Sequence, residues 1–259
     1  MSPVFDCTTP EGRRDGIAKA TAGVRHGDLV VLPTDTLYGI GADAFTPDAV
    51  QRLLDAKGRG REMPPPVLVA EVRTVDGLAT DVPAYARALI ERYWPGPLTL
   101  VLKAQPSLMW DLGDTGGTVA VRMPDNEVAL ELLREVGPMA VSSANRTGHP
   151  ASRTVVDAAT QLGPSVQFYL DGGPVTGGLP STIVDCTHDQ PVILRHGAID
   201  GDEILALAAE HPEEQPVPDP DPGPAPDPDP DLALDPDLPA EPTPSEKPTP
   251  PLSKESNDE

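Results

Sequence analysis

Apolar and polar positions follow two different periods over the first 211 residues of this chain. Where apolar residues recur every three or four positions, the period is that of a helix. Six segments have this pattern: 16–26, 47–57, 84–93, 127–136, 155–162 and 203–209. Short apolar runs predict eight strands: 29–34, 66–70, 97–104, 118–123, 139–143, 165–170, 181–186 and 191–195. The alternation of helices and strands predicts an α/β domain with a twisted, mixed sheet.

Residues 212–259 break this pattern, and we assign them to a separate C-terminal tail. The tail holds 16 of the 34 prolines, 14 of the 41 acidic residues and 2 of the 19 basic ones. Proline lacks a backbone donor and closely spaced acids repel one another, so the segment cannot form a helix or a sheet. We predict a domain over residues 1–211 and a disordered, acidic, Pro-rich tail, which either solubilises the chain or docks on a basic partner.

The composition narrows the possible functions. The chain has a formal net charge of −22, of which −10 belongs to residues 1–211. That balance argues against a broad nucleic-acid-binding surface but is compatible with a local basic cleft. No apolar run approaches the ~18 residues of a membrane span, and the N-terminus lacks a signal-peptide pattern. With only Cys7 and Cys186, we expect a cytoplasmic protein without a disulfide framework or a four-ligand zinc site.

Polar segments follow several predicted strands, which is where an open α/β sheet keeps its ligand site. The first, 33–44, places the hydroxyl of Thr34 directly after a strand. The second, KGRGRE at 57–62, has three cations at a helix C-terminus: Lys57, Arg59 and Arg61. These cations either complement the helix dipole or bind phosphate, with two glycines allowing the backbone to approach the anion.

Two further strands carry residues that suit a small anionic ligand. Arg122 lies in an apolar strand, where a cation needs a partner, either a structural carboxylate or a ligand carboxylate. Ser143 and Asn145 follow another strand and supply neutral donors and acceptors. Ser143 is not expected to be a nucleophile, because no G-x-S-x-G motif surrounds it.

The last polar segment, 171–187, is rich in glycine and contains Ser181 where a strand begins. Arg195 closes the final predicted strand and is another candidate for anion binding. The chain contains neither a Walker A loop nor a Rossmann fingerprint. A nucleotide site here must therefore be of another kind.

Together and in this order, the segments resemble the YrdC-like threonylcarbamoyl-AMP synthases. The resemblance rests on PTDTLYGIG at 33–41, KGR at 57–59, TVAVRMP at 118–124, SSAN at 142–145, STIVD at 181–185 and ILRHGAI at 193–199. It implies an open, twisted α/β fold with a deep concave cleft. It also implies condensation of L-threonine, bicarbonate or CO₂, and ATP to threonylcarbamoyl-AMP and pyrophosphate, with transfer to tRNA left to a separate complex.

The resemblance implies roles for particular residues. Those implied to contact ATP are Lys57, Arg59, Thr118, Ser143, Asn145 and Arg195, and the basic loop adds Arg61 as a further phosphate cation. Those implied to bind threonine are Thr34, Arg122 and Ser181. Lys57 and Arg59 are the expected catalytic residues, since the reaction needs charge stabilisation and no protein nucleophile. We expect Mg²⁺ to arrive with ATP rather than to occupy a cage of protein ligands.

The chain departs from the family at one motif. Relatives often carry a Pro-Leu-Ile-Val-His run after KGR, whereas this chain has PPPVLVAE at 64–71 and no histidine there. The chain otherwise resembles the short, single-domain members. The alternatives are an RNA-binding or ribosome-maturation module with the same fold, or a relative with altered substrate. The acidic domain with one compact basic cluster favours the enzyme and predicts weak or absent tRNA binding.

Overall fold

One mixed sheet organises residues 2–212, which are the residues described by the computed structural model. Its eleven strands are β1 (Val4–Asp6), β2 (Val30–Leu32), β3 (Gly39–Asp43), β4 (Val67–Leu68), β5 (Ala79–Thr80), β6 (Leu98–Ala104), β7 (Thr118–Arg122), β8 (Met139–Ser143), β9 (Phe168–Asp171), β10 (Thr182–Asp185) and β11 (Val192–Arg195). The α-helices of the same residues are α1 (Pro10–Arg25), α2 (Pro47–Lys57), α3 (Val75–Leu78), α4 (Ala84–Tyr93), α5 (Glu127–Val136), α6 (Val155–Leu162) and α7 (Gly201–Ala209).

Parallel and antiparallel pairs are mixed across the sheet. The strand order is β1-β9-β2-β3-β8-β4-β7-β6-β10-β11, and β5 also pairs with β6. The pairs β1–β9, β9–β2, β4–β7 and β6–β10 are parallel, and the others are antiparallel. The predicted α/β class with an open, mixed sheet is therefore confirmed.

Local sequence signals set most helix boundaries. The helices α2, α4, α5 and α6 have the bounds that the apolar period predicts. The first helix begins six residues earlier than predicted, because Pro10 occupies its first position and Thr9 caps it by accepting from the amide of Gly12 at 3.2 Å. The last helix begins two residues early, at Gly201, with Asp200 as its cap.

The sequence pattern missed β3, which lies inside the sheet between β2 and β8. Its two glycines made this stretch resemble a turn. A Cβ on Gly39 would come within 2.6 Å of Val141 Cγ1, and one on Gly41 would come within 2.9 Å of Met139 Cε. Glycine is therefore favoured at both positions, because side chains of β8 occupy the space that a Cβ atom would take. The strands β1 and β5 and the helix α3 were also missed, because such short elements carry no periodic signal.

Buried apolar side chains form three clusters between helices and sheet. The first joins α3, α4 and α7 to β6 and β7. The second joins α1 and α5 to β2 and β8. The third joins α2 and α6 to β2 and β3. The apolar stripe of each helix is thus buried against the sheet, as expected for a layered α/β domain.

The predicted tail, residues 212–259, lies outside the described residues apart from Pro212, and so does Met1. The domain boundary at residue 211 therefore stays a prediction. Within the described part of the chain, every helix is too short or too polar to cross a membrane.

Leu100→Ala should lower the free energy of unfolding by about 2–5 kcal/mol, because Leu100 is fully buried in the first cluster and truncation leaves a cavity. Leu205→Ala is the matched control: this leucine is 43% exposed and its loss should cost about 1 kcal/mol or less. Urea unfolding measures both values. Equal losses in the two variants would contradict the position of the core.

Candidate active site

Seven neighbouring strands, from β3 to β11 in the sheet order, contribute to one cavity of about 700 Å³. The lining residues include Thr99 and Val101 on β6 and Thr118, Val119, Ala120 and Arg122 on β7. The turn after β2 and the glycine-rich loop before β10 also contribute lining residues. The volume is in the range typical of small-molecule sites.

The polar lining of the cavity consists of hydroxyl and guanidinium groups. The arginines are Arg59, Arg122, Arg153 and Arg195, and the Ser and Thr residues are Thr34, Thr36, Thr99, Thr115, Thr118, Ser142, Ser143 and Ser181. No aspartate or glutamate of the described residues lines the cavity. In a domain with more acidic than basic residues, this lining concentrates positive charge at one place and suits an anionic ligand. Within residues 2–212, no group of three or more His, Cys, Asp or Glu side chains is arranged to hold a metal ion.

Lys57, the last residue of α2, connects the basic loop to the end of β8. Its side chain is buried, with the residue only 3% exposed. The ammonium donates to the backbone carbonyls of Ser143 and Asn145, the latter at 2.7 Å. Burial, and next the positive charge of Arg59, lower the pKa of Lys57 to about 8. The structure therefore brings Lys57, Ser143 and Asn145 together, but Lys57 faces backbone oxygens rather than the cavity.

Asn145 supports this loop from the other side. Its side-chain amide donates to the carbonyls of Arg146 at 2.9 Å and His149 at 2.8 Å. Neither Asn145 nor Lys57 is among the described cavity-lining residues, whereas Ser143 is. Of these predicted ATP contacts, Ser143 is thus the one that can touch a ligand without rearrangement.

Arg59 is the basic-loop residue that reaches the cavity. Its Nη1 donates to Ser142 Oγ at 2.9 Å. Its Nε is buried and has no hydrogen-bond partner within the described residues. Burial lowers the pKa of Arg59, with Glu62 opposing the shift and the charge of Arg195 adding to it. A buried donor without a partner is costly, so a ligand that accepts a bond from Arg59 would remove this cost.

Arg61 lies elsewhere. Its guanidinium pairs with Asp111 at 2.7 Å and with Asp114 at 3.7 Å, and its side chain is 46% exposed. It is not among the described residues that line the cavity. The structure does not bring Arg61 to the predicted ATP site, because acidic residues of the 105–117 loop pair with it.

The sequence left open whether the partner of Arg122 is a structural carboxylate or a ligand carboxylate, and the structure supplies a structural one. It is 6% exposed and pairs with Asp35 through Nη2. Its Nε donates to the carbonyl of Gly96 at 3.0 Å, and its Nη1 donates to Thr36 Oγ1 at 3.0 Å. Burial lowers the pKa of Arg122, and Asp35 opposes the shift. Arg122 still lines the cavity, so it has both a protein partner and access to a ligand.

Three of the hydroxyl groups that were predicted to contact ligands differ in the hydrogen bonds that they already make within the protein. Thr34 Oγ1 donates to the carbonyl of Leu37 at 2.6 Å and accepts from the amide of Leu37 at 3.2 Å, so it mainly closes its own turn. Thr118 Oγ1 donates to the carbonyl of Thr115 at 2.8 Å. Ser181 Oγ lies 3.0 Å from Arg195 Nη2, which joins one predicted threonine contact to one predicted ATP contact.

Several residues of the site were not predicted from the sequence, among them Thr99, Asp35 and Arg153. Thr99 lines the cavity from β6, and the available signal was a hydroxyl between two leucines of the strand. Asp35, the partner of Arg122, stood beside Thr34 in a polar turn. Arg153 lines the cavity and donates to the carbonyl of Gly178 at 3.1 Å, but nothing in its local sequence distinguished it from an ordinary residue ahead of a helix.

The segment that lacks the histidine forms an apolar wall. Pro64, Pro65, Pro66 and Leu68 line the cavity. Ala70, the last apolar residue of this run, packs instead against the cluster of α1 and α5. No described residue from this segment therefore offers a titratable group to the cavity.

The fold and the cavity define an α/β protein with a cavity whose lining suits a small anionic ligand. The chain belongs to the Sua5/YciO/YrdC family, whose model, described as "Telomere recombination", matches residues 23–197. The resemblance stated from the sequence motifs is thereby confirmed.

Relatives agree with this assignment. A Mycobacterium tuberculosis H37Rv protein named "Putative threonylcarbamoyl-AMP synthase" is 54% identical over 204 residues, covering 79% of this chain and 94% of the relative. The threonylcarbamoyl-AMP synthase of Bacillus subtilis is 40% identical over 193 residues, covering 74% of this chain and 56% of the relative.

Solved structures show the same fold. Pyrococcus abyssi Sua5, solved in complex with L-threonine, aligns with a TM-score of 0.76 at 34% identity and covers 82% of this chain and 62% of that one. Escherichia coli YciO aligns with a TM-score of 0.70 at 26% identity and covers 79% of this chain and all of its own. The YrdC-like fold that the sequence motifs imply is confirmed.

Lys57→Met should show a pH-dependent contribution to stability. Because the pKa of Lys57 falls from 10.5 to about 8 on folding, the unfolded chain binds a proton between these values that the folded chain has released. The cost of burying the charge is fully present below pH 8 and is relieved as the pH rises towards 10.5.

The free energy of unfolding of wild type minus that of Lys57→Met should therefore shift in favour of wild type between about pH 7 and about pH 10. Urea unfolding of both proteins at both pH values measures this difference, and subtraction removes the titration of other groups. A difference that does not change with pH would contradict the buried ammonium.

Proposed function

We propose that this protein is an L-threonylcarbamoyladenylate synthase that condenses L-threonine, bicarbonate or CO₂, and ATP. The observation that carries the proposal is the cavity, in which four arginines and eight Ser and Thr residues but no described carboxylate surround about 700 Å³. ATP is a polyanion, and threonine and bicarbonate each bring a carboxylate-type group, so the substrates match this lining. Membership of the family and the L-threonine complex of Pyrococcus abyssi Sua5 support the proposal.

The proposed reaction uses no protein nucleophile. The threonine amine adds to CO₂ and loses a proton to give a carbamate. A carbamate oxygen then attacks the α-phosphorus of ATP as the bond to pyrophosphate breaks. The protein's task is to align the reactants and to stabilise charge on the α-phosphate and the leaving pyrophosphate.

At the ATP end, Arg59 and Arg195 are the proposed charge-stabilising residues, because neither makes an ion pair within residues 2–212 and both line the cavity. Thr118 and Ser143 are proposed to bond ATP directly. Lys57 is proposed to act through its charge and, with Asn145, through the backbone after β8 that it holds. Direct contact of ATP with Arg61 stays a prediction and would require Arg61 to leave Asp111.

At the threonine end, the proposed residues are Thr34, Arg122 and Ser181. The guanidinium of Arg122 has five N–H groups and uses three of them on Asp35, Thr36 and Gly96. Two N–H groups therefore remain for the carboxylate of threonine. Pairing with Asp35 reduces the net charge at this position, so we assign Arg122 to orientation rather than to strong attraction.

We further propose that Mg²⁺ enters bound to the phosphates of ATP and is not held by a protein cage. The product is a reactive mixed anhydride, so we propose that it passes to a tRNA threonylcarbamoyl-transfer complex in the cytoplasm. Direct binding of tRNA is proposed to be weak, because residues 1–211 carry a net charge of −10.

The direct test is to incubate the purified chain with ATP, Mg²⁺, L-threonine and bicarbonate. Pyrophosphate and threonylcarbamoyl-AMP should form together, and leaving out threonine or bicarbonate should abolish both. Pyrophosphate release that does not depend on threonine would contradict the proposal. Activity with a different amino acid alone would identify a relative with altered substrate.

Arg59→Ala should lower kcat/KM by about a hundredfold or more, because a charge-assisted contact to the reacting phosphate is lost. Arg73→Ala is the matched control, since the Arg73 side chain is 83% exposed and it does not line the cavity. Circular dichroism should show that both variants fold. Wild-type activity of Arg59→Ala would contradict the role assigned to this residue.

Arg122→Lys tests the threonine end. Lysine keeps the positive charge beside Asp35, whereas alanine would leave this half-buried carboxylate without its cationic partner and would destabilise the fold. The KM for threonine should rise about tenfold while the KM for ATP changes by about twofold or less, because lysine cannot form the bidentate contact. Equal changes in both KM values would mean that Arg122 is only structural.

A further inference from the structure

Ser181 is the centre of a hydrogen-bonded chain of three cavity-lining side chains. Its Oγ lies 2.9 Å from Thr99 Oγ1 and 3.0 Å from Arg195 Nη2. Thr99 is 1% exposed and Ser181 is 5% exposed. Arg195 also donates to the Ser181 carbonyl, from Nε at 3.1 Å and from Nη2 at 2.8 Å, which fixes the guanidinium relative to the serine.

The sheet itself brings Thr99 and Ser181 together. Strands β6 and β10 are parallel neighbours in which Thr182 pairs with Leu98 and Ile183 pairs with Thr99. The amide of Thr182 donates to the carbonyl of Pro97 at 2.9 Å. Ser181 directly precedes β10, so the backbone pairing of the two strands limits the separation of the two hydroxyls.

The direction of the hydrogen bond between Thr99 and Ser181 follows from counting protons. Arg195 can only donate, so Ser181 Oγ accepts from it. If Ser181 donated to Thr99, the proton of Thr99 would need another acceptor, and the described residues provide none besides Ser181, while a ligand reaches Thr99 less easily because Thr99 is 1% exposed and Ser181 is 5% exposed. If Thr99 donates to Ser181, the proton of Thr99 is satisfied and that of Ser181 stays free for a ligand in the cavity.

We infer that Thr99 is a positioning residue that makes Ser181 a hydrogen-bond donor to a carboxylate-type oxygen of the substrate. This inference rests on the proposed function, because it takes threonine or its carbamate as the ligand. A hydroxyl that accepts two bonds, one of them from a guanidinium, is polarised and donates more strongly. Such a donor suits an anionic oxygen and does not suit the ammonium group of threonine, which needs an acceptor.

The inference assigns Ser181 to both substrates at once. Arg195 is the proposed ATP-facing cation, and it bonds the same oxygen that orients the substrate carboxylate. Two oxygens have the required chemistry: the α-carboxylate of threonine and the carbamate formed from its amine. An experiment can distinguish them, because the α-carboxylate is always present on threonine whereas the carbamate forms only when bicarbonate or CO₂ is supplied.

Thr99→Val removes the hydroxyl with almost no change in shape, and Thr99→Ser restores it. With Thr99→Val, we expect the Kd or KM for threonine to rise about tenfold, the scale of a lost hydrogen bond to a charged group. The KM for ATP should change by about twofold or less, and Thr99→Ser should stay within about twofold of wild type. The matched control is Thr21→Val, a buried threonine of α1 that does not line the cavity.

Calorimetry in bicarbonate-free buffer separates the two oxygens. Weaker threonine binding by Thr99→Val under these conditions assigns the bond to the α-carboxylate. Unchanged binding combined with a raised KM for bicarbonate assigns it to the carbamate. Either result supports the inference, whereas unchanged values in both experiments would overturn it. Equal losses in Thr99→Val and Thr99→Ser would also overturn it, because they would indicate packing alone.

A double-mutant cycle tests whether Thr99 acts through Ser181. In a Ser181→Ala background, Thr99→Val should have no further effect on threonine binding, and a full additional tenfold loss would overturn the inference. Should Thr99→Val not fold, Thr99→Cys keeps the side-chain size with only a weak donor and makes the same comparison with Thr99→Ser. A wild-type chain that neither binds threonine nor forms product would overturn the proposed function, and this inference with it.

Discussion

A buried ammonium group holds together two parts of the chain that are far apart in sequence. Lys57 ends α2, and its carbonyl partners lie 86 and 88 residues further along: Ser143 ends β8, and Asn145 follows that strand. Removing an ammonium from water is costly unless its N–H groups are satisfied. The C-terminus of α2 therefore cannot move away from the end of β8 without leaving a buried cation unpaired. Because Arg59 lies only two residues after Lys57, the hydrogen bonds of Lys57 also hold Arg59 close to Ser142 and the cavity.

The four arginines that were predicted to bind ligands fall into two groups, according to whether they pair with a carboxylate. Arg61 and Arg122 have acidic partners, whereas Arg59 and Arg195 have hydroxyl or carbonyl partners within the described residues. Neutral acceptors orient a guanidinium without cancelling its charge. The cavity can therefore be positive in a chain whose net charge is −22. This is the property that an ATP-dependent reaction without a protein nucleophile needs most.

The remaining wall of the cavity is apolar or carries hydroxyl groups. Pro64 to Pro66 and Leu68 supply the apolar side, and the chain of Thr99, Ser181 and Arg195 supplies directed donors. None of these hydroxyls changes its charge in the ordinary pH range. The orientation of substrate that we propose thus depends on the direction of the hydrogen bond between Thr99 and Ser181, and that contact depends on the pairing of β6 with β10.

The sequence by itself determined the α/β class, the bounds of four helices and the family, because apolar period, capping residues and ordered motifs are local properties. It could not identify β3, because Gly39 and Gly41 are required by the bulk of Val141 and Met139, which lie on another strand. Only the tertiary structure decided which cations reach the cavity. Arg61 meets Asp111, Arg122 meets Asp35, and Thr99 meets Ser181 across pairs separated by 50 or more residues. A side chain's partner depends on what the fold places within about 3 Å of it, and no local pattern records that distance.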